Sequence, residues 1–287
     1  MKKILLVFLL LPALVRAGAP VSGRVADAAN GEPLPYVTVV VKGKEIGVIS
    51  DREGRFEIRG RTDISTADSV VFSHVGFETL TRTVGELTGG QDIRLRQGTY
   101  DIEPIVVTNR RSRLVKLGHS ASGTGMVQVG WYDELGLDDG AEKNSADHEG
   151  GVPIRIRHDS DILSFAMRIR QNGYERALFR LSFYSLEDNT PGELIVHRDI
   201  RFELADRTTG LFGVDLTPYG IRLAGGQEIL VTLTLLEDEM NTEVPEPFML
   251  DGALLGRGVY SRSFGDETWD RFGGVTVAMY LNAREYR

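Results

Sequence analysis

Short runs of β-branched and aromatic residues, broken at regular intervals by Gly, Pro, Asn and Asp, fill residues 21–96 of this chain. The breaks recur about every 8 to 12 residues, a spacing typical of the turns in an all-β sandwich. No segment of this region has the period of a helix. We therefore predict seven strands, at residues 21–25, 36–41, 46–50, 56–58, 69–74, 78–84 and 92–96.

The turn residues between the first four strands support this assignment. Asn30-Gly31 favours a turn, and Pro33 and Pro35 lack the N–H donors of a strand, so the first strand cannot continue through them. The second strand is almost entirely β-branched, which indicates a strand covered on both faces. Gly54, just before the fourth strand, tolerates the positive φ that a tight hairpin turn requires.

Three segments of residues 21–108 carry a resemblance to a known family: GRVADAANGEPLPYVTVVVKGKEIGVISDREGRFEI, DSVVFSHVGFETLTRTV and DIRLRQGTYDIEPIVVT. In order and spacing they resemble the carboxypeptidase-regulatory-like domain of Bacteroidetes envelope proteins. The resemblance implies a seven-stranded, transthyretin-like β-sandwich. In that family the domain often precedes the plug and barrel of a TonB-dependent outer-membrane receptor. About 180 residues follow residue 108 here, which is too few for a plug and a large barrel.

Residues 1–17 have the pattern of a secretory signal peptide. Lys2 and Lys3 precede an apolar run over residues 4–15, with small residues near a cleavage point before Gly18. Such a run, about twelve residues long, is too short to span a bilayer. The chain has no cysteine, and hence neither a disulfide nor the lipid-attachment cysteine of a lipoprotein. We expect an exported protein of the periplasm, outer membrane or cell surface that is not a lipoprotein.

Charge and composition limit the classes of partner that this protein is expected to bind. The formal net charge of −8 at pH 7 disfavours binding to nucleic acid or to anionic lipid. With 287 residues, of which 41% are hydrophobic, the chain has enough apolar material for two compact domains. We expect an envelope protein or a glycan as the partner, no nucleic acid and no transmembrane helix.

The predicted organisation is a signal peptide at residues 1–17, a first sandwich at 18–108, a linker at 109–125 and a second sandwich at 126–287. The linker assignment rests on a run of Arg and Lys followed by a Gly- and Ser-rich stretch. Within the first sandwich, residues 101–108 (DIEPIVVT) resemble the segment near the TonB box of the receptors. Two interpretations remain open: an extended segment that adds a strand to a partner's sheet, or a last strand retained from a receptor.

The second half of the chain also has the period-2 alternation of half-buried strands. Turn residues at Asn172-Gly173 and around Pro191 separate these runs. Eight or more strands of this kind are typical of a jelly-roll-like β-sandwich. The most convincing strands lie at residues 163–170, 179–184, 200–204, 227–236 and 275–281.

The sequence contains none of the common catalytic motifs. A zinc carboxypeptidase pairs a His with a Glu three residues later, but His74 precedes Glu78 by four residues and His148 precedes Glu149 by one. HExxH, GxSxG, P-loop and GxGxxG motifs are missing, and no cysteine is available as a nucleophile. We therefore predict no catalytic residues and a non-enzymatic envelope protein that acts as a binding or structural module. A hydrolase site in the second β domain and an accessory role in TonB-dependent transport are the alternatives.

An acidic stretch over residues 133–149 is the one candidate for a metal site. Calcium prefers several carboxylate or carbonyl oxygens, and Asp133, Asp138 and Asp139 could supply them. The spacing does not match an EF-hand loop, and a solvated acidic loop is the alternative. We expect no cofactor, with calcium as the only candidate ion.

The two tryptophans occur in turn-rich, acidic surroundings, GWYDELGLDDG and SFGDETWDRFGG. An aromatic ring beside carboxylates can stack on a sugar while the carboxylates accept its hydroxyl hydrogens. Trp131, Tyr132, Trp269 and Phe272 are therefore the candidate ligand-binding residues. The alternative is that each indole closes one end of the sandwich, where burial would contribute roughly 2 to 3 kcal/mol.

Overall fold

The computed structural model describes residues 21–44, 46–58, 64–87, 90–99, 111–121, 128–131, 148–240, 248–263 and 268–287. Within these ranges the chain forms twenty β-strands, one four-residue α-helical turn and a short 3₁₀ helix at Thr217–Tyr219. The all-β class predicted from the sequence is confirmed.

The N-terminal module is a sandwich of seven strands, as the sequence predicts. A three-stranded sheet in the order β4-β1-β7 packs on a four-stranded sheet in the order β3-β2-β5-β6. Strand β1 pairs in parallel with β7 and antiparallel with β4. The elements are β1 (Val21–Asp27), β2 (Thr38–Val41), β3 (Ile46–Ile49), β4 (Arg55–Ile58), β5 (Ser69–Ser73), β6 (Leu80–Thr83), α1 (Val84–Leu87) and β7 (Gln91–Leu95).

The core of this module is made by the alternate residues that the strand pattern places inward. Val25, Val39, Phe72 and Leu95 are completely buried, and the rings of Phe56 and Phe72 meet edge to face at 5.4 Å. An edge-to-face pair of this kind is a favourable aromatic geometry that adds to the burial of apolar area.

Strand β6 ends earlier than the sequence predicts. The carboxylate of Glu86 accepts hydrogen bonds from the backbone N–H of Thr83 at 2.7 Å and from its hydroxyl at 2.9 Å. Both bonds run from Thr83 to the carboxylate of Glu86, and they help to start a helical turn because one of them satisfies the backbone N–H that precedes its first residue. The predicted strand over residues 78–84 is therefore shortened to Leu80–Thr83.

The turn before β4 shows why glycine is required there. Asp51 Oδ1 accepts hydrogen bonds from the N–H groups of Glu53 and Arg55, at 2.9 and 2.7 Å. Gly54 has a φ of +73°, and a Cβ at this position would lie 2.4 Å from the carbonyl oxygen of Val25. Both the conformation and the close approach exclude a side chain.

The C-terminal sandwich contains thirteen strands in two sheets that share β18. The front sheet has the strand order β12-β17-β10-β18, with β13 and β14 beside β12 and β19 beside β18. The back sheet is built from β11 and β20, flanked by β8, β9, β15 and β16. The strands are β8 (Ser112–Gly118), β9 (Gln128–Trp131), β10 (His148–Ile156), β11 (Ser160–Gln171), β12 (Tyr174–Glu187), β13 (Thr190–Leu194), β14 (Ile200–Ala205), β15 (Gly210–Asp215), β16 (Arg222–Leu223), β17 (Gln227–Met240), β18 (Phe248–Ser263), β19 (Asp270–Val277) and β20 (Met279–Tyr286).

Strand β18 joins the two sheets because its two ends pair with different neighbours. Residues 248–251 pair with β9 and β11 in the back sheet, and residues 252–263 pair with β10 and β19 in the front sheet. Between the sheets, the ring of Phe179 packs 5.8 Å from that of Phe202 and 5.1 Å from that of Phe248. These aromatic side chains form the centre of the larger core.

At the start of strand β11, the side chains that face the core differ from those that the sequence pattern predicts. The alternation predicts that Leu163 faces the core together with Phe165, but a bulge between Ile162 and Ser164 interrupts the pairing of β11 with β20. Ile162 is buried in place of Leu163, which is only half-buried. A bulge adds one residue to one strand, so it reverses the side-chain alternation on one side of it.

The sequence predicts a linker over residues 109–125, whereas the structure contains strand β8 in this range. β8 pairs antiparallel with β20, and Val115 and Leu117 pack against the core of the C-terminal sandwich. Lys116 lies on the exposed side of this edge strand, where charged residues are common, whereas Arg113 lies on the same side as Val115 and Leu117 and forms an ion pair with the buried carboxylate of Glu285 at 3.1 Å. Because of this run of basic residues, the period-2 alternation of β8 is not evident from the sequence.

Candidate functional site

The outer face of the front sheet carries several buried polar side chains. The outer face of an antiparallel sandwich sheet normally meets water, and its residues are polar for that reason. Here five polar side chains on that face are buried. They are Glu149, Arg180, Ser182, Thr232 and Thr234, and none is more than 5% exposed.

The middle of this face is occupied by an aromatic and charged cluster around Glu149. Arg262 Nη2 and Nε donate to Glu149 Oε2 at 2.7 and 3.0 Å. The hydroxyl of Thr232 donates to Glu149 Oε1 at 2.6 Å, and the hydroxyl of Tyr184 donates to Oε2 at 3.3 Å. The buried carboxylate is thus fully satisfied, as a buried charge must be.

The same cluster contains the predicted ligand-binding residue Trp269. The guanidinium carbon of Arg262 lies 4.3 Å from the centre of the Trp269 ring, and the ring of Tyr184 meets the indole edge to face at 5.6 Å. A cation at this distance from an indole is attracted by the ring quadrupole. Burial, followed by the nearby charge of Glu149, raises the pKa of Tyr184, so this phenol stays protonated.

Trp269 is half-buried and extends the cluster to a small apolar group made by Leu186, Leu230 and Tyr260. One face of the indole is therefore covered by Arg262, and part of its edge by Tyr184. Trp269 therefore packs on the outer face of the front sheet, and a ligand-binding role for it stays a prediction.

The structure does not bring the predicted ligand-binding residues together. Trp131 belongs to β9 in the back sheet, where it is paired with Phe248, whereas Trp269 lies on the front sheet. Phe272 is on β19 and is 57% exposed. The remaining predicted residues and segments, Tyr132, Asp133, Asp138, Asp139 and residues 101–108, lie outside the described residues.

Within the described ranges, no group of three or more His, Asp or Glu side chains is arranged to hold a metal ion. The candidate calcium ligands at residues 133–139 belong to the part of the chain that the structure does not describe. Calcium binding there stays a prediction from the sequence.

The N-terminal module meets the far end of the same face through a charged junction. Arg180 Nη2 donates to the carbonyl oxygen of Tyr36 at 3.0 Å, and Arg180 Nε donates to Asp199 Oδ1 at 2.9 Å. The hydroxyl of Tyr36 donates to Glu237 Oε1 at 2.7 Å. Arg52 completes the junction with a bidentate pair to Glu237, with distances of 2.8 Å from Nε to Oε1 and 2.5 Å from Nη2 to Oε2.

Tyr36 is held in an unfavourable backbone conformation at this junction. Its φ is +59°, a region that costs an L-residue roughly 1 to 2 kcal/mol, and the residue is 3% exposed. The strain is compensated by several contacts, since its N–H donates to Ser50 at 3.1 Å and the guanidinium of Arg201 lies 5.2 Å from its ring centre. Strained residues of this kind persist where the surrounding structure fixes them, and they are frequent at functional sites.

The junction also shifts the pKa values of two groups. The hydrogen bonds from Arg52, and next those from Tyr36, outweigh burial and lower the pKa of Glu237 to about 2. Burial, reinforced by the positive charge of Arg180, lowers the pKa of His74 to about 4. His74 is therefore neutral at pH 7, and its 3.8 Å approach to Asp199 is not an ion pair at that pH.

No motif or pattern in the sequence singles out the junction residues Tyr36, Arg180 and Glu237. Arg180 alternates with Phe179 and Leu181 as a solvent-facing arginine does. Its burial depends on a contact with a residue 144 positions away, and no local pattern encodes that contact.

Comparison with known proteins places the N-terminal module in a family. Residues 21–107 match the CarboxypepD_reg-like domain family. A TonB-dependent receptor, P3 of Formosa agariphila, is 27% identical over 169 residues, which cover 55% of this chain and 16% of the receptor. More than half of the chain cannot lie within its first 107 residues, so the similarity extends beyond the family match.

Among solved structures, the cysteine protease and lectin-like domains of Cwp84, a surface-layer-associated protein of Clostridium difficile, give a TM-score of 0.35 at 8% identity. That match covers 95% of this chain and 59% of the other, and a likeness at this level does not establish a shared fold. No helix in the described ranges is long and apolar enough to cross a membrane. The sequence match and the seven-stranded sandwich agree, and residues 21–107 are a CarboxypepD_reg-like domain.

Proposed function

We propose that this chain is a non-enzymatic, exported protein of the cell envelope that acts as a binding module in TonB-dependent outer-membrane transport. The observation that carries the proposal is the CarboxypepD_reg-like domain at residues 21–107, in a chain whose similarity to a TonB-dependent receptor continues beyond that domain. The chain spans only 16% of that receptor's length, so it shares a part of the receptor and not the whole.

The geometry of the junction supports a binding role. Arg180 and Glu237, both on the front sheet, each bond to Tyr36 of the N-terminal module. Contacts of this kind restrict the rotation of one part against the other, so a partner would meet a composite surface of fixed shape. A preorganised surface loses less conformational entropy on binding than two independently moving modules do.

The arginine partners of three carboxylates support the non-enzymatic assignment. Glu149, Asp199 and Glu237 are each paired with an arginine, at 2.7, 2.9 and 2.5 Å respectively. The hydrogen bonds from Arg52 lower the pKa of Glu237 to about 2, whereas a general acid needs a raised pKa. These ion pairs suit a structural role better than proton transfer.

The proposal is tested by locating the tagged full chain in the bacterium that produces it and cross-linking it in intact cells. We expect the protein in the envelope fraction, with cross-links to a TonB-dependent receptor. The purified full chain should hydrolyse none of a panel of peptide and glycan substrates above background. A cytoplasmic location, an absence of cross-links to envelope proteins, or hydrolytic turnover would contradict the proposal.

A further inference from the structure

An open cleft of about 510 Å³ lies at the end of the front sheet's outer face that is remote from the N-terminal module. Leu186, which lines it, is six residues from Arg180 along β12, a separation of roughly 20 Å at the rise of a strand. The cleft is therefore separate from the junction. Its principal lining residues are Arg155, Leu186, Glu187, Gln227, Glu228 and Arg257.

The floor of the cleft is a row of cross-strand neighbours. Leu186 on β12 pairs with Glu228 on β17, which in turn pairs with Arg155 on β10. Adjacent strands are about 4.8 Å apart, so the row extends about 10 Å across the sheet. Arg257 on β18 forms an ion pair with Glu228 and so adds a fourth strand to the lining of the cleft. Four strands thus hold these side chains in fixed relative positions.

The chemistry of this lining selects a narrow class of ligand. Two guanidinium groups donate hydrogen bonds, two carboxylates accept them, and Gln227 can do both. The charges of the four ionised side chains cancel, which disfavours a strongly charged ligand. Of the six principal residues only Leu186 is apolar, which disfavours lipids and large aromatic molecules.

A sugar fits this combination. Each sugar hydroxyl is at once a donor and an acceptor, so neighbouring hydroxyls can use arginine and glutamate side chains together. The side chain of Leu186 is only 5% exposed, so it closes the floor of the cleft and the polar side chains make the contacts to the hydroxyls. The 10 Å row matches the length of two linked pyranose rings. We propose that the cleft binds a neutral oligosaccharide, with a disaccharide unit placed along the row Leu186–Glu228–Arg155.

In this arrangement the tryptophan of the front sheet has an indirect role. Trp269 packs against the apolar group that contains Leu186, while its ring face is covered by Arg262. It supports the apolar side of the cleft and is not itself the platform for a sugar. The cleft proposal does not depend on the transport role proposed above, because a transport partner could bind elsewhere.

The test is calorimetric titration of the purified full chain with neutral oligosaccharides, using malto-, cello-, xylo- and laminari-oligosaccharides, and with oligogalacturonate as an acidic comparison. We expect at least one neutral series to bind. The double variant Glu187→Ala/Gln227→Ala should weaken that binding tenfold or more. The control variant Asp206→Ala/Arg207→Ala removes an exposed ion pair outside the cleft and should leave the affinity unchanged.

A second variant, Arg257→Lys, keeps a positive charge next to Glu228 but removes the planar fork of donors, and should weaken binding several-fold. Circular dichroism and thermal melting of each variant check that the fold is intact. The proposal is overturned if no neutral oligosaccharide binds at millimolar concentration, if only the acidic oligosaccharide binds, or if neither cleft variant changes the affinity. These outcomes leave the envelope location and the receptor cross-links untouched, so the two proposals fail separately.

Discussion

Replacement of Arg180 by methionine should destabilise the contact between the N-terminal module and the front sheet. Methionine keeps an unbranched side chain of similar length but removes the charge and the donors. The side chain of Arg180 is 6% exposed, and it donates both to the carbonyl oxygen of Tyr36 and to Asp199. The substitution therefore leaves a buried carbonyl and a partly buried carboxylate without this partner.

The expected loss in the free energy of unfolding depends on the partners that the carbonyl of Tyr36 and the carboxylate of Asp199 keep. Removal of one partner of a buried ion pair typically costs 3 to 5 kcal/mol, and an unsatisfied buried carbonyl costs about 1 to 3 kcal/mol. Asp199 keeps a second arginine, because Arg201 Nε lies 3.1 Å from its Oδ2, and its side chain is 18% exposed. These two features place the loss at the lower end, at about 3 kcal/mol in the free energy of unfolding.

The assay is urea denaturation combined with hydrogen exchange resolved by segment. The urea concentration at the unfolding midpoint should be lower for Arg180→Met than for the unmodified protein. The amides of residues 36–50 should lose protection from hydrogen exchange, because the N–H groups of Tyr36 and Ser50 form hydrogen bonds within this segment. Arg207→Met is the matched control, since Arg207 is 64% exposed in its pair with Asp206, and should cost less than about 0.5 kcal/mol. If Arg180→Met changes stability no more than this control, the junction is not held by Arg180.

Three further substitutions have effects that the structure determines. Gly54→Ala should lower the free energy of unfolding by about 2 kcal/mol more than Gly43→Ala does. Both glycines have a positive φ, but only a Cβ at residue 54 would clash with the carbonyl oxygen of Val25. Equal urea midpoints for the two variants would refute this. Trp269→Ala should cost about 2 kcal/mol by loss of its half-buried ring, and an unchanged melting temperature would contradict that packing. For His74, the unfolded chain binds a proton as the pH falls below 6.5 while the folded chain does not until about 4, so stability should decrease over this range by up to about 3 kcal/mol. His74→Gln should remove this part of the pH dependence, and an unaltered pH profile would show that the histidine titrates normally.

Much of the fold can be predicted from the sequence because its signals are local. The order of the seven N-terminal strands follows from turn residues such as Gly54 and from β-branched runs, and the structure reproduces it. The phase of β11 could not be predicted, since the bulge beside Ile162 depends on its pairing with β20. Strand β8 could not be predicted because charged residues occupy both of its sides, with Arg113 on the side of Val115 and Leu117 and Lys116 on the other.

The junction and the cleft lie beyond sequence reasoning for a different reason. The outward positions of the amphipathic strands include Arg155, Arg180 and Glu228. The sequence therefore predicts that all three side chains are exposed to solvent. Only the structure shows that Arg180 is covered by the N-terminal module and that the other two lie side by side in an open cleft. Both facts depend on contacts between residues far apart in the chain.

The proposed role in transport is tested most directly by site-specific photo-cross-linking in living cells. A photoreactive residue would replace in turn Arg24, Glu57 and Arg94, which are exposed on the sheet β4-β1-β7, with Asp206 of the C-terminal sandwich as the comparison position. The account predicts an adduct with a TonB-dependent outer-membrane receptor from at least one position on the N-terminal module and a weaker adduct or none from position 206. Adducts only with cytoplasmic proteins, or no adduct with any envelope protein from any of the three module positions, would contradict it.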